Sequence, residues 1–206
     1  MSRTAPDAWE RRVDDIAELL VWSALGQAPT LGAGRMICVD GRAGSGKTTL
    51  GHALRRAGQE VGTVRLLHMD DMYEGWGGLA EVGARVRRDL VTPLREGRAG
   101  GYHRYDWYRG AFAEWCPVEP VDLLVVEGVG SADSSYDDAI TSLVWVEAPR
   151  ELRVARGVGR DGEAVLPQWL RWMEDEDALF ARERTRARAD AVVDGTGESD
   201  RAVVFV

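Results

Sequence analysis

Gly41-Arg42-Ala43-Gly44-Ser45-Gly46-Lys47-Thr48 follows the apolar run Met36-Ile37-Cys38-Val39 and leads into a helix-forming segment from Thr48 to Ala57. This stretch decides the fold. It satisfies G-x-x-x-x-G-K-[ST] in the context that pattern requires, a buried strand, a glycine loop and then a helix. Glycines let backbone N–H groups converge on a phosphate where side chains would block them. The helix N-terminus adds partial positive charge. Lys47 is placed to reach the β- and γ-phosphates, and the Thr48 hydroxyl to ligate Mg²⁺. Gly41 through Thr48, with Thr49 behind them, therefore make up the expected nucleotide cradle.

Composition sharpens the reading of Lys47. Among 26 basic residues it is the only lysine, and the chain has no asparagine and three isoleucines. A bias that converts Lys to Arg explains the bulk of the arginines. The lysine that remains marks a position where a compact ammonium on a flexible stem works and a broad guanidinium does not.

The other bounds concern class. At 206 residues, with 45% hydrophobic and 29% charged residues, the chain suits one globular domain. Thirty-four acids give a formal charge of -8, against the basic face expected of a nucleic-acid binder. No apolar stretch approaches the roughly 20 residues that span a bilayer. Asp7, Glu10, Asp14 and Asp15 stand where a signal peptide would be cationic, and two cysteines make no disulfide framework. A cytoplasmic location and no membrane partner are expected.

Along the chain, Trp9, Val13, Ile16 and Leu20 predict an amphipathic helix over 7–25. Val61 to Met69, Val121 to Val126 and Leu143 to Val146 predict further strands. A Gly-rich turn, Gly75-Trp76-Gly77-Gly78, precedes a helical segment from Leu79 to about Arg95. Pro149 opens a helix, and a longer one is expected from Leu166 to Arg188 with Leu166, Leu170, Met173 and Phe180 as its buried stripe. Ala191 to Val193 and Ala202 to Val206 are late strands. Strands alternating with helices predict an α/β, doubly wound parallel sheet in one domain over 1–206. Residues 1–30 supply an N-terminal helical segment and 150–165 a small helical lid.

The site residues follow from this frame. Leu123-Leu124-Val125-Val126 ends in Glu127, an acid at a strand end beside the loop and the expected second Mg²⁺-side residue. The second strand ends in Asp70-Asp71, where an open parallel sheet places its ligands. A hydroxyl acceptor loses a proton as it attacks a γ-phosphate, and Asp70 can take it. Arg150, Arg153, Arg156 and Arg160 share one helical face, suited to a triphosphate, and Gly157, Gly159 and Gly162 suggest hinge freedom for the lid. Tyr102 to Tyr108 is a dense aromatic segment without strand alternation, able to stack a flat ring or to pack on the core. His52 and His103 show no metal-ligand spacing.

Taken in order, these segments resemble the uridine kinases and their phosphoribulokinase and pantothenate-kinase relatives. The resemblance runs from about Met36 to Thr196. Beyond the phosphate loop it comprises Asp70-Asp71-Met72-Tyr73, Glu96-Gly97 with Tyr105-Asp106-Trp107, Val125-Val126-Glu127-Gly128, Arg153, Arg156 and Arg160-Asp161, and Ala189-Asp190-Ala191-Val192-Val193. It implies Mg·ATP as cofactor and Asp70 as catalytic base, assisted by Lys47, Arg156 and Arg160. It places Arg153 on phosphates and Tyr73 and Tyr105 near a nucleoside. Asp71, Trp76, Trp107 and Arg109 complete the expected acceptor site. Two departures stand out: the stretch after Tyr73 is Gly-rich and lacks the family's ribose-binding acid, and Arg109-Gly110 stand where a pyrimidine-reading histidine is expected. The expected activity is phosphoryl transfer to a small hydroxyl acceptor, a nucleoside such as uridine or cytidine. One alternative is a nucleoside monophosphate or other metabolite, with Arg42, Arg104 or Arg109 holding its phosphate. The other is a non-catalytic ATP-binding regulator.

Overall fold

The computed structural model describes residues 8–198 and 203–206. The side chain of Trp9 and residue Ala202, both named above, lie outside the described residues. Helix α1 spans Ala8–Leu25, β1 Arg35–Asp40, α2 Lys47–Gln59 and β2 Val64–His68. A helical segment follows as α3 (Leu79–Arg85), a π-helical stretch Val86–Val91, and α4 (Thr92–Arg95). Next come β3 (Gly100–Asp106), β4 (Ala111–Val118), β5 (Leu123–Glu127) and β6 (Ser142–Glu147). The chain ends with α5 (Arg150–Asp161), α6 (Leu166–Glu183), α7 (Thr185–Arg188), β7 (Ala191–Asp194) and β8 (Val203–Phe205).

The main sheet has the order β2-β5-β1-β6-β7-β8, with β1 between β5 and β6. All its pairings are parallel except that of β8, which runs antiparallel to β7, so the expected doubly wound sheet is mostly parallel. Successive side chains of a strand point to opposite faces. Ile37 and Val39 therefore join Leu123, Val125, Val144 and Val146 under α1 and α2. Met36 and Cys38 join Leu124, Val126, Leu143 and Trp145 on the other face, under the helical segment from α3 to α4 and under α6. Burial on both faces is why these strands read as continuous apolar runs. The parallel pairing of β1, β2 and β5 brings their C-terminal ends, with the phosphate loop, to one edge of the sheet.

Two elements differ from the sequence-based expectation. The aromatic segment Tyr102 to Tyr108 belongs to an antiparallel hairpin, β3 with β4. A bulge between His103 and Tyr105 shifts the register, so the period-2 pattern breaks mid-strand. The long helix stops at Glu183, where Arg184 adopts a left-handed conformation (φ 52°) before the short α7. Its buried stripe is Trp169, Trp172, Met173, Glu176, Leu179 and Phe180; Leu170 is exposed. Gly157, expected to be a hinge, is instead a packing contact. A Cβ there would lie 2.3 Å from the Trp169 indole, so only glycine lets α5 approach α6 this closely.

Candidate active site

The phosphate loop owes its path to two left-handed glycines. Gly44 (φ +78°) lies so close to α5 that a Cβ would meet the Arg153 carbonyl oxygen at 2.5 Å, and Gly46 (φ +105°) caps α2. A side chain at either would be strained. Lys47 is buried and curls back over the loop, its Nζ donating to the Arg42 carbonyl at 2.9 Å. Thr48 Oγ1 donates to Glu127 Oε1 at 3.0 Å. The same carboxylate oxygen meets His68 Nδ1 at 2.5 Å. His68 and Glu127 are register partners across β2 and β5, which fixes this pair. The Glu127 hydrogen bond holds the His68 pKa above its ordinary value.

These groups open into one cleft of about 680 Å³. Lys47, Thr48, Thr49, Asp70, Asp71, Tyr73, Trp76, Trp107, Glu127, Arg156 and Arg160 all line it, so the structure brings together most of the predicted site. Asp70 is open to the cleft yet crowded by protein on its other sides. That crowding, and then the Glu127 charge, raises its pKa against the lowering pull of Lys47 and Arg160. Thr48 and Glu127 offer hard oxygen donors at the loop. Mg²⁺ keeps waters and takes phosphate oxygens alongside one or two protein ligands, so this pair fits it. The N–H cradle at the mouth of α2 likewise fits a triphosphate.

The arginine face divides. Arg156 donates to the Gly44 carbonyl at 3.3 Å and the Gly195 carbonyl at 2.9 Å, at the rim of the cleft. Arg160 pairs with Asp161 at 2.7 Å and lies over the Trp169 ring. Arg153 does not line the cleft. It is buried and donates to the Ala148 and Ala43 carbonyls at 3.1 and 3.3 Å, supporting the loop from behind. Arg42 is held by Asp177 and lies over Phe180, away from the cleft. Arg109 is exposed beside Asp106 at 3.9 Å, outside the cleft. Gly41 and Ser45 are buried within the loop's own packing, and Tyr105 is buried behind Trp107 at a ring distance of 5.3 Å.

Three contributors escaped the sequence reading. Asp40, fully buried at the end of β1, accepts from the N–H groups of Gly41 at 2.7 Å, Gly130 at 2.9 Å and Ala132 at 3.1 Å. It thereby ties the phosphate loop to the turn after Glu127, and burial pushes its carboxyl up to about 6. An acid closing a buried strand just before a glycine loop was the available signal. Trp172 packs edge-on to Tyr73 (4.9 Å) and Trp76 (5.9 Å). Glu176, also fully buried, accepts from Ala43 N at 2.7 Å and Trp172 Nε1 at 2.9 Å, with Arg153 at 3.9 Å. A helical acid four residues from a tryptophan looks like surface charge until the fold turns it inward. Removing one partner of a buried charge pair strands the other. Glu176→Ala is therefore expected to lower unfolding stability by about 3 kcal/mol, read as a shifted urea midpoint. Glu176→Gln, which can still accept both N–H groups, should recover most of that loss.

No family model matches the chain. A uridine kinase from Lactobacillus johnsonii is 25% identical over 190 residues, covering 82% of this chain and 90% of that protein. A uridine kinase from Lactobacillus helveticus is 26% identical over 193 residues, with the same coverage. The chain is similar to these uridine kinases over most of its length. The fold agrees: a structure described as "a Possible Uridine Kinase from Bacillus stearothermophilus" superposes with a TM-score of 0.65 at 21% identity, covering 88% of this chain and 98% of that one. A kinase ascribed to a fructose transport system in Silicibacter sp. TM1040 has a TM-score of 0.56 at 20% identity, over 84% and 94%. These uridine kinase-like relatives support a phosphotransferase. No helix among the described residues is long and apolar enough to cross a membrane.

Proposed function

We propose that the protein transfers the γ-phosphoryl group of Mg·ATP to a hydroxyl of a small, unphosphorylated acceptor, with nucleosides the first acceptors to try. The observation that carries this reading is the position of Asp70. An open carboxylate of raised pKa shares one cleft with Lys47, Thr48 and Glu127, and aromatic side chains stand on its other side. The acceptor oxygen forms its bond to phosphorus as the bond from phosphorus to the β-bridging oxygen breaks. The hydroxyl proton passes to the Asp70 carboxylate, and ADP leaves. Lys47, Arg156 and Arg160 stabilise charge on the phosphate oxygens. Bound Mg²⁺, held at Thr48 and Glu127, would neutralise charge on the β- and γ-phosphates.

The reading with a phosphorylated acceptor loses its support. None of its three candidate arginines lines the cleft: Arg42 pairs with Asp177, Arg104 pairs with Glu114 at 2.7 Å, and Arg109 stands exposed 3.9 Å from Asp106. The regulatory reading leaves Asp70 without a purpose, since a switch needs no general base. ADP release should therefore rise above background hydrolysis with a nucleoside or sugar present, and stay at background with nucleoside monophosphates. Background release with every acceptor in both groups would overturn the proposal and favour a regulator.

A further inference from the structure

The acceptor end of the cleft has an unusual hydrogen-bonding balance. Its walls are Tyr73, Trp76, Trp107 and Trp172, with Trp76 edge-on to both Trp107 (5.6 Å) and Trp172 (5.9 Å). The polar hydrogens of three of these four already have partners within the protein. Tyr73 OH donates to the Val129 carbonyl at 2.7 Å, Trp107 Nε1 to the Asp70 carbonyl at 2.9 Å, and Trp172 Nε1 to Glu176 at 2.9 Å. Among these side chains only the Trp76 indole keeps a free N–H. The acceptor capacity is the reverse. Asp70 and Asp71 both present carboxylates, and Asp71 forms no hydrogen bond or ion pair with any described residue. The cations within electrostatic reach of Asp71, His68 and Arg104, are themselves held by Glu127 and Glu114. Lysine and arginine side chains enter the cleft only as Lys47, Arg156 and Arg160, which belong to the phosphate loop and the lid.

A site of this kind rewards a ligand that brings donors and penalises one that brings carbonyl oxygens. A buried polar group left without a partner costs more than a good hydrogen bond returns. Sites built around a specific hydrogen bond reject analogues that lack it far more strongly than apolar pockets reject a methylene. Aromatic faces beside carboxylates also favour an amine, by attraction between positive charge and the ring. Resting on the kinase reading above, we propose that the acceptor is an alcohol that also carries an amino group, and that Asp71 is the residue that receives it. Asp70 takes the proton of the reacting hydroxyl, and Asp71 binds the amine without entering the chemistry.

The test uses two pairs of acceptors: glucosamine against glucose, which differ only in a C2 ammonium or hydroxyl, and cytidine against uridine, which differ in a C4 amino group beside a bare N3 or a C4 carbonyl beside an N3–H. Two readouts run in parallel on the full chain. One is ADP release, and the other is quenching of tryptophan fluorescence by acceptor without ATP, since Trp76 and Trp107 are partly exposed. The amino member of a pair should show at least a 10-fold higher kcat/KM and quench at correspondingly lower concentration. Asp71→Asn should bring the two members within about twofold of each other while the KM for ATP stays put, and Asp71→Glu should restore the preference. Equal or better use of the oxygen member overturns the proposal, as does a preference that survives in Asp71→Asn or quenching by no member of either pair. Selective quenching without stimulated ADP release would uphold the amine preference and count against the kinase reading alone.

Discussion

An Asp70→Asn enzyme is expected to bind ATP as the parent does and to lose about 10²- to 10⁴-fold in kcat, the usual contribution of a positioned general base. The change keeps the shape of the side chain and removes its ability to accept a proton. Asp70 forms no side-chain hydrogen bond or ion pair with the phosphate loop, so nucleotide affinity should survive. The pH profile separates a base from a merely structural acid. Crowding by protein and the Glu127 charge raise the Asp70 pKa, while Lys47 and Arg160 oppose the rise. Asp70 works only when deprotonated, so kcat should fall as pH drops through a value above the ordinary carboxylate range. That acid limb should vanish from the residual activity of Asp70→Asn. Near-parental kcat, or an unchanged acid limb in the variant, would remove Asp70 as the base.

Lys47→Arg should be nearly as damaging despite keeping the charge. Loss of a preorganised charged donor at a developing oxyanion costs about 10²- to 10³-fold in kcat. Arginine at this position is no substitute. Lys47 is buried and threads back to the Arg42 carbonyl at 2.9 Å, a path for a slender stem and a single ammonium. A planar guanidinium would have to displace the loop or point away from it. Measured ADP release should therefore collapse while the thermal midpoint moves little. Retention of more than about a tenth of the activity would show that the loop tolerates a fork where it has a point charge.

The phosphate loop, the strand ending in Glu127 and the strand leading to Asp70-Asp71 were legible because each depends on local sequence. A glycine pattern dictates a loop path, and a continuous apolar run dictates a strand buried on both faces. The hairpin was not legible, because a bulge between His103 and Tyr105 interrupts the alternation that announces a strand. The stripe of α6 was misplaced for a related reason. Leu170 is as apolar as a core position requires, yet it is exposed, while the larger Trp169 and Trp172 fill the space against Gly157 and Tyr73.

The arginines show most plainly what each level decides. Sequence periodicity put Arg153, Arg156 and Arg160 on one helical face, and helix geometry alone guarantees that much. Which of them meets a phosphate depends on what lies opposite each. Arg153 faces Glu176 and the back of the loop, whereas Arg156 and Arg160 face the cleft. By itself, then, the sequence determined an α/β fold with a glycine loop after its first strand, the single lysine in that loop and the acid at the end of β2, since these are patterns of neighbouring residues. Only the tertiary structure decided that Asp40 and Glu176 brace the loop, that Arg42 and Arg109 are absent from the cleft, and that the Trp107 and Trp172 indole N–H groups in the cleft wall are already bonded while that of Trp76 is free. Those facts depend on groups distant in sequence meeting in space, and hydrogen-bond capacity at a site is known only once every partner is in place.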